Sequence, residues 1–251
     1  NKGYQFVFGF PNANIIYART KKLDWRIICP PPIYIRPLNM GHFITKKTKS
    51  IFLGKCASII TKTVFSPSER IISKKRNPLI KIRRDTEFHA WANELWEKCK
   101  NQNNLWVVRD YKYLSWRYDM RPESSYDLYT AWINDNIAGY IITTEIIRSE
   151  GKVVFITDIL ADIHVNGVVD DLLNTVIYES MKKGAAMISA IVMPNSAYKA
   201  AFRKKYFLRL PKKLFPQEIY FGACSLNDGI SQNILYNVNS WHISWGDTDL
   251  L

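Results

Sequence analysis

The chain has 251 residues, a hydrophobic content of 47%, an aromatic content of 14% and a formal net charge of +13. That is enough apolar material for one large domain or two small ones, and no apolar run reaches the ~20 residues of a membrane span. Cys29, Cys56, Cys99 and Cys224 form no CxxC pair and the few histidines no ligand-like pair, which argues against a metal site or a disulfide framework and favours a reducing, cytoplasmic setting.

The basic clusters Lys46-Lys47-Lys49, Lys74-Lys75-Arg76, Lys81-Arg83-Arg84 and Arg203-Lys204-Lys205 are scattered along the chain. They suit a solvated surface or an anionic partner: a phosphorylated cofactor, an acidic glycan, or peripheral contact with an anionic membrane. Helix-turn-helix and RNA-recognition signatures are missing, so nucleic acid is not an expected partner.

Asn1–Asn12 starts as a strand with no signal or capping sequence before it, which suggests that an N-terminal piece lies outside this sequence. Phe8–Trp25, FGFPNANIIYARTKKLDW, reads as strand, Pro-Asn, helix and aromatic residue. It parallels Ala190–Phe207, AIVMPNSAYKAAFRKKYF: Pro11 matches Pro194, Asn12 matches Asn195 and Trp25 matches Phe207. Either these are two copies of one unit, or Pro-Asn is a common helix entry because Asn caps well. The shared spacing favours copies.

Three prolines keep Ile28–Pro37 extended. Ser50–Val64 is mostly apolar, and its pattern does not separate helix from strand. Phe65–Pro78 reads as a linker. Leu79–Arg83 is a short strand. Thr86–Lys100 is a helix with Phe88, Trp91, Ala92, Leu95 and Trp96 on one face and Asp85 or Thr86 as cap. Arg109–Tyr118, RDYKYLSWRY, reads as a short amphipathic helix with Arg117 snorkelling.

Val153–Phe207 holds the densest signals. Val153–Leu160 is a β-branched strand. Val168–Lys183 carries Val169, Leu172, Leu173, Val176, Ile177 and Met181 at helical spacing and is closed by Gly184. Met187–Val192 is a second buried strand, and Asn195 is the expected cap of a helix running to Lys205. This order is a parallel βαβα unit with a right-handed crossover. The tail, Tyr236–Leu251, carries Trp241, Trp245, Asp247 and Asp249. It reads either as a strand pinned by tryptophans or as aromatic faces with carboxylates, a pairing that holds sugar rings.

Over Leu79–Cys224 this order resembles the GNAT N-acetyltransferase superfamily. Tyr129–Ile146, with Gly139-Tyr140 opening its second arm, is similar to that family's central hairpin. The resemblance implies an α/β fold with a mixed sheet, the GNAT-like acyl-CoA N-acyltransferase fold, preceded by a partial GNAT-like repeat. Residues 79–251 are then the acyltransferase domain, 65–78 a linker, and 1–64 the C-terminal remnant of a first GNAT-like domain.

It also implies acetyl-CoA or another acyl-CoA as co-substrate. The pantetheine arm lies between the strands equivalent to Val153–Leu160 and Met187–Val192, with the pyrophosphate at the following helix N-terminus. The family's Arg/Gln-x-x-Gly-x-Gly/Ala loop corresponds to His164–Val169. The cofactor-binding candidates are thus Leu160, Asp162, Val165, Asn166, Gly167, Val168 and Asn195. Asp170 and Asp171 follow in the first turn, where they suit the helix dipole and repel phosphate.

Attack of an amine on a thioester needs a base, oxyanion donors and an acid. The family's acidic Tyr falls at Phe202 here, and Tyr198 lies one turn earlier on the same face. Asp158, Asp162 and His164 are the candidate bases, with a backbone N–H near Leu160 as oxyanion donor. The resemblance puts Trp116, Arg117, Tyr118 and Asp247 on the acceptor side. Strings similar to D..YL.WRY..P and Trp-Gly-Asp occur in GNAT-like proteins of bacterial surface-polysaccharide clusters, which implies a small or glycan-linked acceptor bearing an amine or hydroxyl. The alternative expectation is a catalytically inactive GNAT-fold binding module in surface polysaccharide assembly.

Overall fold

A computed structural model describes residues 3–56, 58–61, 77–121, 125–148, 151–215 and 218–248. The first part contributes β1 (Phe6–Gly9), α1 (Ala13–Lys22), β2 (Arg26–Cys29), β3 (Ile33–Pro37) and α2 (Gly41–Thr48). Next come β4 (Ile80–Asp85), α3 (Trp91–Cys99), α4 (Tyr111–Leu114, continued by a π-turn over Ser115–Asp119), β5 (Asp127–Ile133), β6 (Asn136–Arg148) and β7 (Gly151–Ala161). The last part holds α5 (Val168–Lys182), β8 (Met187–Ile191), α6 (Lys199–Lys204), β9 (Leu208–Arg209), β10 (Phe221–Ser225) and α7 (Gln232–Leu235).

The hairpin β5–β6 is central. Its two-residue joint requires positive φ, which Asn134 supplies at 52°. Pairing outward from it gives a seven-stranded sheet in the order β4-β5-β6-β7-β8-β3-β9. β7 and β8 are parallel, joined through α5 as the βαβ pattern requires. α5 buries Leu172, Leu173, Val176 and Ile177 on one face of the sheet against Ile141, Ile156 and Ile159. On the other face, Phe88, Trp91 and Leu95 pack with Leu128, Tyr140 and Ile142. Each such fully buried side chain contributes about 1.5–3 kcal/mol of gross transfer energy, which makes the two-sided cover the main stabilising feature.

The smaller sheet has the order β1-β10-β2, all antiparallel. A third core joins it to the large one: Phe221, Ala223 and Trp241 meet Val153, Phe155, Ile191 and Trp245. The sequence division at residues 64 and 79 therefore does not divide the sheets. β3 from the first stretch lies in the large sheet, and β10 from the last lies between β1 and β2.

Several expected boundaries move. The helix expected from Thr86 starts at Trp91, because Asp85 stays in β4 and accepts a hydrogen bond from Thr130 Oγ1. Phe88 instead joins an aromatic group with Trp91, Tyr118, Tyr126 and Tyr140. Residues 51–56 and 58–61 are helical, which resolves the reading left open for Ser50–Val64 within those limits. Most of the expected linker lies outside the described residues. The tail forms short 3₁₀ turns at Val238–Ser240 and Trp245–Asp247 rather than a strand.

Candidate functional site

β7 and β8 pair from Val153↔Met187 to Ile156↔Ala190, and there the ladder stops. β7 runs on to Ala161, held by β6 on its other side through Gly139↔Ala161. A bulge marks the parting point: Ile142 faces Asp158 and Thr143 faces Ile156, so Thr157 is the extra residue. The result is a wedge between two parallel strands, with the N-terminus of α5 beyond its mouth.

Two groups fill the wedge. The first is Tyr198, which is 4% exposed. Its hydroxyl accepts from Ala161 N–H at 3.0 Å and lies 3.0 Å from the Ala161 carbonyl and 3.3 Å from Gln102 Oε1. Burial pushes the Tyr198 hydroxyl pKa up, so it stays protonated at neutral pH. The second group is the tail. Trp245 Nε1 donates to Ser189 Oγ at 3.2 Å, and its ring lies 5.5 Å from Phe155. Arg117 fixes the same turn, donating to the carbonyls of Gly246 at 2.8 Å and Thr248 at 2.9 Å.

Behind the wedge is a buried charge cluster. Arg109 Nε lies 3.1 Å from both oxygens of Asp158, and its Nη2 donates to Asp247 Oδ2 at 2.7 Å. Asp158 also accepts from Tyr140 Oη at 3.0 Å and from Ile159 N–H at 3.0 Å. Asp247 accepts from Ser244 N–H and Oγ in a capping box. Both carboxylates and the guanidinium are almost fully buried. Burial, helped by repulsion from Asp247, raises the Asp158 pKa against the pull of Arg109. For Arg109, burial opposes the charge, yet Asp158 and Asp247 outweigh it and hold its pKa well above the ordinary value. His242 packs edge-on to Trp106 and Tyr198. Burial, and after it the Arg109 charge, depress its pKa to about 3, so the ring is neutral.

Neither a protein-family model nor a curated protein sequence matches the chain. Solved structures do. A GCN5-related N-acetyltransferase from Anabaena variabilis superposes with a TM-score of 0.52 at 9% identity, over 89% of this chain and 46% of that one. The chain therefore spans less than half the length of that protein. A GNAT family acetyltransferase from Elizabethkingia anophelis with acetyl-CoA bound matches 60% of this chain and 100% of its own, at 18% identity and a TM-score of 0.38. A predicted acetyltransferase with acetyl-CoA from Clostridium acetobutylicum matches 55% and 96%, at 14% identity and a TM-score of 0.41.

The chain has the GNAT acetyltransferase fold.

Set in that fold, the sequence candidates do not gather in one place. Tyr198 lies in the wedge on Ala161, while the neighbouring Leu160 side chain is buried in the core under α3. Asp162, His164, Val165, Asn166, Gly167 and Val168 form the turn leading from β7 into α5. There His164 N–H bonds Asp162 Oδ1 at 2.9 Å, and Gly167 caps α5 at φ 92°. His164 and Asn166 are exposed. The amides of Val168, Val169 and Asp170 precede the first intrahelical bond, which runs from Asp171 N–H to the Gly167 carbonyl at 2.9 Å. Asp171 turns to Asn77 N–H at 3.2 Å, and Asp170 pairs with Lys204 and Lys205, each at 3.1 Å. Both carboxylates are thus partly compensated beside that helix end.

Asp158 and Asp247, distant in sequence, meet through Arg109. Asp247 was expected to face an acceptor cleft; it is instead buried in this ion pair, because its carboxylate caps the Trp245 turn. Asn195 was expected to cap a helix; α6 starts at Lys199 instead, and the Asn195 amide donates to the Asn239 carbonyl at 3.2 Å. Of the acceptor-wall residues, Tyr118 is buried, Arg117 holds the tail, and Trp116 is 61% exposed. Arg109, Gln102 and His242 were not singled out from the sequence, and Tyr140 only as part of the hairpin. A lone Arg and a lone His carry no spacing signal, and only the fold brings them to the wedge. Two open concavities lie elsewhere: one of 500 Å³ at Arg84–Thr86, Ser125 and Tyr126, at the far end of the sheet, and one of 250 Å³ at Pro30, Pro31 and Arg209–Lys212.

Proposed function

We propose that this chain is an acyl-CoA-dependent acyltransferase that moves an acetyl or other acyl group to an amine or hydroxyl of a small or glycan-linked acceptor. The observation that carries the reading is the wedge at Ile156/Ala190, which leaves one β7 edge without a strand partner, covered by Tyr198 and the tail, and leads to the α5 N-terminus. The residues fit the co-substrate at both ends. The amides of Val168, Val169 and Asp170 at the start of α5 and the Asp162–Val168 turn suit a pyrophosphate. The Ala161 N–H and C=O, now engaged by Tyr198, suit the amides of a pantetheine arm. When bound, acyl-CoA supplies an activated thioester carbonyl.

In this reading Tyr198 releases Ala161 as the ligand enters. Its protonated hydroxyl then stands at the reacting end of the wedge and donates to the departing thiolate. Asp158 is a positioning residue: it fixes Ile159 N–H and Tyr140, and so the β7 backbone on either side of Leu160. His164 serves the phosphate end. Exposed Trp116 offers the acceptor a flat apolar face, which suits a sugar ring and supports the link with surface polysaccharide assembly.

The test is thiol release from acetyl-CoA with a panel of simple amines, amino sugars and aminoglycosides. At least one acceptor class is expected to turn over. Tyr198→Phe is expected to lower kcat by roughly 10²-fold with little change in the KM for the acceptor, the size general acid catalysis commonly reaches. Equal kcat in the variant removes Tyr198 from the chemistry, and no turnover with any acceptor counts against the acceptor class.

A further inference from the structure

One arrangement occurs twice in this chain. β8, a Pro-Asn turn, α6 and β9 follow one another, and so do β1, a Pro-Asn turn, α1 and β2. Each copy sends its next strand into the other. β3, which follows β2, runs antiparallel between β8 and β9. β10, which follows β9, runs antiparallel between β1 and β2. Both copies also place a helix side chain on the aromatic residue that opens their second strand: Phe202 on Phe207, 4.9 Å between centroids, and Arg19 over Trp25 at 4.1 Å. A reciprocal exchange of this kind marks two related halves.

The halves differ in what covers them. The other edge of β8 carries β7 in parallel. α5, which links the two strands, packs Val168, Val169 and Leu172 into one core with Ala201 and Phe202 of α6. The other edge of β1 carries no strand among the described residues. α1 buries no residue at all: Ile15 and Tyr17 are 45% and 68% exposed, whereas Tyr198, at the place corresponding to Ile15, is 4% exposed. A second copy of α1 is a poor cover, because Arg19, Lys21 and Lys22 are unrelieved by any acidic residue in its first turn and two such helices repel.

We propose that the free edge of β1 and the exposed face of α1 receive a strand–helix unit built like β7–α5. Its strand runs parallel to β1 and its helix lies over α1. In the other half, β7–α5 directly precedes β8 in sequence. The occupant is therefore the polypeptide directly upstream of Asn1 in the full gene product, about as long as Gly151 to Met187, entering β1 by a right-handed crossover. This inference does not depend on acyl transfer.

The test compares the 251-residue chain with the same chain extended upstream by its own reading frame. Hydrogen exchange in the extended form is expected to slow roughly tenfold or more over β1 and α1 and to stay unchanged in β7 and α5. Ile15→Asp and Tyr17→Asp are expected to leave the Tm of the shorter chain unchanged and to lower that of the extended one. A reading frame that opens at Asn1, unchanged exchange over α1, or a dimer of the shorter chain that Tyr17→Asp dissolves would each overturn the proposal.

Discussion

Arg109 holds two carboxylates in a place that water does not reach, so the cluster carries more negative than positive formal charge. Removing different members should therefore have very different effects. Arg109→Met leaves Asp158 and Asp247 buried and facing each other, and is expected to destabilise by about 3–5 kcal/mol in urea unfolding. Asp247→Asn keeps an acceptor for Ser244, relieves the repulsion on Asp158, and is expected to cost less than about 1 kcal/mol. Equal effects would mean that the cluster is held by packing and not by charge.

His242 gives a pH signature. It is neutral in the fold down to about pH 3, while an unfolded histidine titrates near 6.5. Between these values the unfolded chain binds the extra proton, so stability rises with pH across that window and is lost as pH falls through it. The raised Asp158 pKa acts with the opposite sign: its contribution is present in acid and lost as pH rises through the folded pKa. His242→Phe is expected to flatten the urea midpoint between pH 6 and 4. A profile as steep as that of the parent would place the acid sensitivity elsewhere. Asp158 and Asp247 stand out in the sequence singly, but their pairing through Arg109 does not, because a buried ion pair has no periodicity and its members come from β7, the segment before α4 and the tail.

At the scale of elements, the sequence is most legible where one period persists. β7, α5 and β8 follow its apolar runs and helical spacing closely, since both faces of β7 and one face of α5 are buried. The hairpin was equally visible. Legibility fails where side chains compete for the backbone. Asn195 looks like a cap but is drawn to the Asn239 carbonyl, and Thr86 yields to the aromatic group around Phe88. Gly139 shows an element-scale constraint in the same hairpin. A Cβ there would lie 2.8 Å from Val168 Cγ1 and 3.0 Å from both Ala161 Cβ and the Leu160 carbonyl. β6 therefore approaches both β7 and the start of α5 only with glycine. Gly139→Val is expected to cost roughly 1–3 kcal/mol by overpacking and to weaken ligand binding at the wedge. A neutral change in thermal stability would show that this approach is not tight.

For the whole molecule, the wedge sits where all three cores meet. Trp245 and Trp241 belong to the core shared with the small sheet, Tyr198 to the core under α5, and Leu160 and Tyr140 to the core under α3. The Pro-Asn echo between Phe8–Trp25 and Ala190–Phe207 was readable as a repeat. The strand exchange that ties the two together was not, because sheet partners distant in sequence leave no local mark. No helix among the described residues is long and apolar enough to cross a membrane. The net charge of +13 is in keeping with an anionic ligand such as a nucleotide pyrophosphate.

In the proposed reaction the wedge takes acyl-CoA in place of the Tyr198 hydroxyl. Calorimetric titration of acetyl-CoA into the parent and Tyr198→Phe proteins addresses it directly. Saturable binding is expected in the parent, and binding about 3- to 10-fold tighter in the variant, whose ring gives up Ala161 without breaking a hydrogen bond worth about 1 kcal/mol. An absence of heat up to millimolar acetyl-CoA, with both proteins folded by circular dichroism, would contradict it.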